Sequence, residues 1–81
     1  MTNSIDHFSL DQGKAGQEFI LASFQGDSVL QDRLVELGFV RGERLKISRK
    51  TFFGDFVVQV KNTEIALRRY EASCLVVNHA S

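Results

Sequence analysis

The sequence has a single cysteine, Cys74, so no internal disulfide can hold it together. A reducing compartment is the corresponding expectation, and with it a cytoplasmic location. Long apolar runs are missing too: stretches such as Phe19 to Ala22 and Leu75 to Val77 span only a few residues, against the roughly 18 to 20 that a transmembrane helix needs. The first residues, MTNSIDHFSLDQG, offer neither a cationic start nor an apolar stretch of signal-peptide length, so no export is expected. Net charge is also lacking, at +0, whereas a dedicated nucleic-acid binder usually carries a clear positive excess.

What is there is an ordinary folding composition, 43% hydrophobic and 25% charged over 81 residues. A chain this short buries only about 60 to 65% of its unfolded surface, enough for one modest core. The neutral total hides an asymmetry. Residues 1 to 40 carry six acids against Lys14 and Arg33, a balance of −4, and residues 41 to 81 carry eight bases against four acids, a balance of +4. Five of those bases fall at 41, 44, 46, 49 and 50, which predicts a local basic patch.

No internal repeat or linker divides the chain, so one domain spanning residues 1 to 81 is expected. Ser9 is placed to cap a short turn that Gly13 and Gly16 break. Residues 18 to 25, EFILASFQ, are apolar on both sides, which suits a strand packed on both faces. In DSVLQDRLVELG, Ser28 and Gln31 have capping-box spacing and Asp27 adds negative charge at the helix start. Val29, Leu30, Leu34 and Leu37 recur at helical spacing. At under about 12 residues such a helix is marginal alone and must lay its leucine face on a sheet. Gly38 then stops it, Phe39 anchors the connection, and Gly42 turns the chain into the next strand.

From Arg44 the period falls to two, with Leu45 and Ile47 on one face and Arg44, Lys46 and Ser48 on the other. A glycine-aspartate turn at Gly54-Asp55 returns the chain as FVVQV, KNT at 61 to 63 makes another turn, and EIAL and CLVV are two more short strands separated by about one helical turn. About five short antiparallel strands, one helix and a helical turn predict a mostly β fold, a small closed barrel.

No chemistry for turnover is evident: the sequence shows no phosphate-binding glycine loop, no supported pair of acids and no nucleophile beside a base. An enzyme is not expected, nor a cofactor. His7, His79 and Cys74 match no metal-ligand spacing; the histidines are expected in frayed ends and Cys74 in the core, so no metal site is assigned.

The segments RLVELGFVRGERLKI, GDFVVQV and EIALRRYEASCLVV, in that order, resemble the ferrous iron transport protein A (FeoA-type) family. The likeness runs from about Ser9 to Val77, with a core of about 9 to 77. It implies an SH3-like barrel acting as a small cytosolic accessory of a GTPase-linked ferrous iron permease in the bacterial inner membrane. A similar barrel occurs at the C-terminus of metal-dependent repressors. The family pattern often has proline where Arg41 and Phe56 stand; without it those turns lose a restraint on the unfolded chain.

The expected partner is therefore a membrane ferrous iron permease with a GTPase domain, with no nucleic acid and no direct membrane insertion; the oligomeric state is left open, a weak homo-oligomer included. The alternative is a small-barrel regulatory or nucleic-acid-binding module. The candidate partner-binding residues are Phe39, Arg41, Arg49, Phe52, Phe53, Asp55 and Phe56, lining an apolar cleft framed by cations. Alternation cannot bury both Phe52 and Phe53 on one face, so one ring is expected exposed or half-covered. The basic run has a bland alternative as a solvated strand face. Tyr70 is expected to lend its ring to the barrel end, and Arg68 and Arg69 to pair structurally or meet an acidic partner.

Overall fold

Apolar side chains at alternate positions of Arg44–Lys50 give that strand one inward face, and register shifts there and on Glu18–Phe24 accompany the curvature of the sheet around its core. The computed structural model describes residues 7 to 80. It contains strands β1 (Phe8–Ser9), β2 (Glu18–Phe24), β3 (Arg44–Lys50), β4 (Phe56–Val60), β5 (Thr63–Leu67) and β6 (Leu75–His79). A 3-10 turn covers Leu10–Gln12, and the helices are α1 (Ser28–Glu36) and α2 (Arg69–Ala72). The strands form one sheet in the order β1-β6-β2-β3-β4-β5, antiparallel at every pairing. The mostly β, SH3-like fold expected from the sequence is the one observed.

Several details differ. There are six strands among the described residues, because Phe8 and Ser9 pair with Val77 and Val76; two residues are too few for alternation to announce a strand. Ser9 precedes the 3-10 turn, but its side chain makes no capping hydrogen bond. The ladder is not continuous around the barrel, since β1 and β5 are its two edges. The packing of α2 against β5 and the 3-10 turn spans the gap between them. On β2 only Phe19 and Leu21 are fully buried and Ile20 and Ala22 are half-buried, so one face meets the core rather than two.

The core gathers Phe19, Leu21, Leu45, Ile47, Phe56 and Val58 from the central strands with Leu10, Leu34, Phe39, Leu67, Leu75 and Val77 around them. Cys74 is among the buried residues, as its sequence context implied. Each large side chain so buried contributes about 1.5 to 3 kcal/mol, and the packed density leaves little room for adjustment.

Helix α1 starts one residue earlier than the expected box. Asp27, extended at φ −63 and ψ 132, accepts a hydrogen bond at Oδ1 from the Val29 N–H at 3.0 Å. Gln31 Nε2 instead donates to the Gly26 carbonyl at 2.8 Å. The helix presents less apolar surface inward than its spacing suggested: Leu34 is buried and Leu30 partly so, whereas Val29 and Leu37 are 73% and 40% exposed. Its end explains the GFVRG run. Gly38 takes φ +114, and the Phe39 N–H reaches back to the Leu34 carbonyl at 3.1 Å, the pattern by which a left-handed residue closes a helix and drives the next apolar side chain inward. Phe39 is that side chain, fully buried.

Candidate functional site

The two arms β3 and β4 set up the most exposed large apolar side chains among the described residues. Their inner sides are regular, with Leu45 and Ile47 facing the core beside Phe56, Val58 and Val60. Between Ile47↔Val58 and Arg49↔Val57 the register shifts, so Ser48 is an extra residue on β3. Such a bulge resets which side chains point outward. Arg49 and Lys50, the last residues of β3, are both exposed as a result. Lys50 folds back so that Nζ lies 4.9 Å from the centre of the Phe56 ring, a favourable cation–π geometry.

Beyond Lys50 the chain turns in a loop closed by its own backbone. The Thr51 N–H donates to the Asp55 carbonyl at 2.8 Å and the Gly54 N–H to the Thr51 carbonyl at 3.0 Å. The Asp55 N–H donates to Thr51 Oγ1, also at 3.0 Å. Gly54 supplies the left-handed residue, φ +90. None of these bonds uses the two side chains at the loop's crest. Phe52 is 96% and Phe53 88% exposed, and their rings meet edge to face, centroids 5.5 Å apart at 85°. The sequence implied that one ring would stay outside. Both do.

Four of the expected partner-binding residues, Arg49, Phe52, Phe53 and Asp55, therefore meet at this tip, Asp55 half-buried at the loop's base. The other three do not. Phe39 and Phe56 are 0% and 2% exposed; both belong to the core and are corrected from contact residues to packing residues. Arg41 lies before β3 while the tip lies after it, and the strand's seven residues hold the two about 20 Å apart. The basic run is thus drawn out along a strand, not gathered into one patch.

The cations differ in their engagements. Arg44 is paired with Glu18 at 2.7 Å and Lys61 with Glu43 at 3.8 Å. Among the described residues Arg41, Lys46, Arg49 and Lys50 have no such carboxylate partner. Neither of two depressions among the described residues is lined by the tip residues Phe52 or Phe53. One shallow depression of about 300 Å³ is walled by Glu18, Glu43, Arg44, Lys46 and Lys61 among others, and a second by Phe8, Gln12, Lys14, Gln17 and His79.

Other groups considered from the sequence fall elsewhere. His79 is not frayed: it sits in β6 with its ring tilted against Phe8 and Phe19, at 5.0 and 5.5 Å. His7 is exposed. The Cys74 Sγ donates to the Tyr70 carbonyl at 3.4 Å; burial, and then the charge of Asp27, push its thiol above the ordinary value of 9.0. Among the described residues no three His, Cys, Asp or Glu side chains converge as metal ligands. Arg68 starts α2, its N–H held by Glu71 Oε1 at 2.8 Å, while its side chain and that of Arg69 are exposed. Tyr70 is 63% exposed. No helix among the described residues is long and apolar enough to cross a membrane. Sequence reasoning missed the exposed Val29, Val35, Leu37 and Val40; the break of the helical period at Gly38 was the available sign that Leu37 lies past the helix.

Comparison with known proteins agrees with this geometry. The FeoA domain model matches residues 8–79. The zinc-complexed FeoA of Stenotrophomonas maltophilia, described as a prokaryotic SH3 domain protein and a candidate bacterial ferrous iron transport activating factor, is 33% identical, with a TM-score of 0.77 over 88% of this chain and 89% of that one. FeoA from Chlorobium tepidum is 31% identical, with a TM-score of 0.83 over 91% of this chain and 71% of that one. A manganese-dependent transcriptional repressor shares the fold at 17% identity, TM-score 0.84, over 99% of this chain and 45% of the repressor. No curated protein sequence matches the chain. With nearly its whole length under the family model, and a six-stranded sheet superposing on solved FeoA structures, the chain belongs to the FeoA domain family.

Proposed function

We propose that the protein is a small cytoplasmic accessory that binds a membrane ferrous iron permease with a GTPase domain and modulates ferrous iron uptake, peripheral to the inner membrane through that partner. Family membership supports the link to ferrous iron transport. The observation that carries the docking reading is the Phe52-Phe53 pair, two aromatic rings held outside the fold on a loop that does not need them. Burial of one such ring contributes about 1.5 to 3 kcal/mol, so covering both amounts to a hundredfold or more in affinity. Central aromatic anchors of this kind dominate small interfaces. The protein contributes no bond-making step of its own; its effect is limited to the difference in affinity it has for the partner's conformations.

A nucleic-acid module fits less well. The rings follow the cations instead of interleaving with them, and the net charge is +0, where strand binding wants alternating stacking and charge. The test is a fluorescence titration of the labelled chain with the detergent-solubilised permease. Saturable binding that weakens about a hundredfold or more in F52S/F53S, at unchanged melting temperature, is expected. Equal binding by the double variant removes the tip from the interface.

A further inference from the structure

Resting on that docking reading, we infer that the surface receiving the tip is a protein pocket, apolar at its floor and bordered by carboxylates. The charge around the rings points there. Arg49 and Lys50 end β3 with only Thr51 between them and Phe52, both are exposed, and neither has a carboxylate partner among the described residues. Lys46, exposed on the outer side of β3 that also bears Arg44, extends the positive edge away from the tip. Arg44 differs, being neutralised by Glu18. The nearby acid, Asp55, is half-buried and its backbone closes the loop. A partner that buries the rings brings its rim against these cations, and like charge there is costly while opposite charge aligns the approach.

An anionic bilayer offers the same sign of charge, and two features favour protein over lipid. The tip is preorganised: three hydrogen bonds within Thr51–Asp55 fix the loop and the rings are already packed edge to face. A fixed shape lowers the ordering cost of entering a shaped pocket, while a fluid interface has no shape to match. The chain as a whole is also neutral, so beyond a Debye length it gains little from an anionic membrane.

The experiment measures binding of the chain to two probes, the detergent-solubilised permease and phosphatidylglycerol vesicles, from low to high salt. The variants are R49E/K50E, R49E alone and F52S/F53S, each checked for an unchanged melting temperature. R49E alone keeps the Lys50 contact with Phe56, so it remains informative if the double reversal disturbs the fold. The expected results are Phe-dependent binding to the permease, weakened about tenfold by charge reversal at low salt, with the difference shrinking as salt rises and vesicles left unbound. Permease binding lost in F52S/F53S but unchanged in R49E overturns the acidic border while leaving the docking reading intact. Phe-dependent binding to vesicles alone overturns the protein pocket in favour of lipid. No binding of the permease by the unmodified chain overturns both.

Discussion

The ring of Phe19 lies directly against the backbone of Gly13: a Cβ added at that glycine would sit 2.5 Å from Phe19 Cζ and 3.0 Å from Ile47 Cδ1. The 3-10 turn and the loop after it are thereby pressed onto the barrel's main core residues. Phe19 is fully buried and has nowhere to retreat. Gly13→Ala is expected to destabilise the fold by about 1 to 3 kcal/mol through overpacking, measured by urea denaturation. Gly16→Ala acts through a different cause, its φ of +89 with open space around it, and is expected to cost about 1 kcal/mol.

Helix α1 provides a comparison between two apolar residues of one pattern. Leu34 is fully buried, whereas Val29 is 73% exposed. Leu34→Ala should cost about 2 to 5 kcal/mol, and Val29→Ala less than about 0.5 kcal/mol. Thermal melts of the two variants side by side check the assignment of the helix face.

Residue patterns along the chain foretell some of these features, and packing alone decides the others. Strand β3 was legible because Leu45 and Ile47 alternate with charged neighbours, and the β4–β5 turn because Asn62 tolerates positive φ, which it takes at 66 beside Lys61 at 51. Gly38 was legible as a helix stop. The face of α1 was not, since Val29, Leu30, Leu34 and Leu37 satisfy helical spacing equally and only packing decides among them. The tip was half legible: alternation forbids burying both Phe52 and Phe53 on one face, but whether the hairpin curls over its own rings depends on the Ser48 bulge and the loop's hydrogen bonds. Phe39 and Phe56 were named as partner-binding residues because an aromatic beside a turn has the same composition whether it faces in or out.

Cys74 gives the fold a pH dependence. Its thiol titrates above the ordinary 9.0 in the folded state, so between those two values the unfolded chain has released a proton that the folded chain retains. Its contribution is fully present below about pH 9 and is lost as pH rises through that range. The slope of stability against pH above 9 should be shallower in Cys74→Ala than in the unmodified protein. Denaturation midpoints taken at pH 7 to 10 read this directly. Alkylation of Cys74 in the folded protein should likewise be slower than in the unfolded protein at the same alkaline pH.

In the proposed function, Phe52 and Phe53 carry the contact with the transporter while contributing nothing to the fold. Ferrous iron uptake in cells whose only copy of this chain is F52S/F53S, at matched protein level, tests it most directly. Uptake falling to that of cells lacking the chain, with the purified variant melting at the unmodified temperature, is the expected result. Uptake equal to that of cells with the unmodified chain contradicts it.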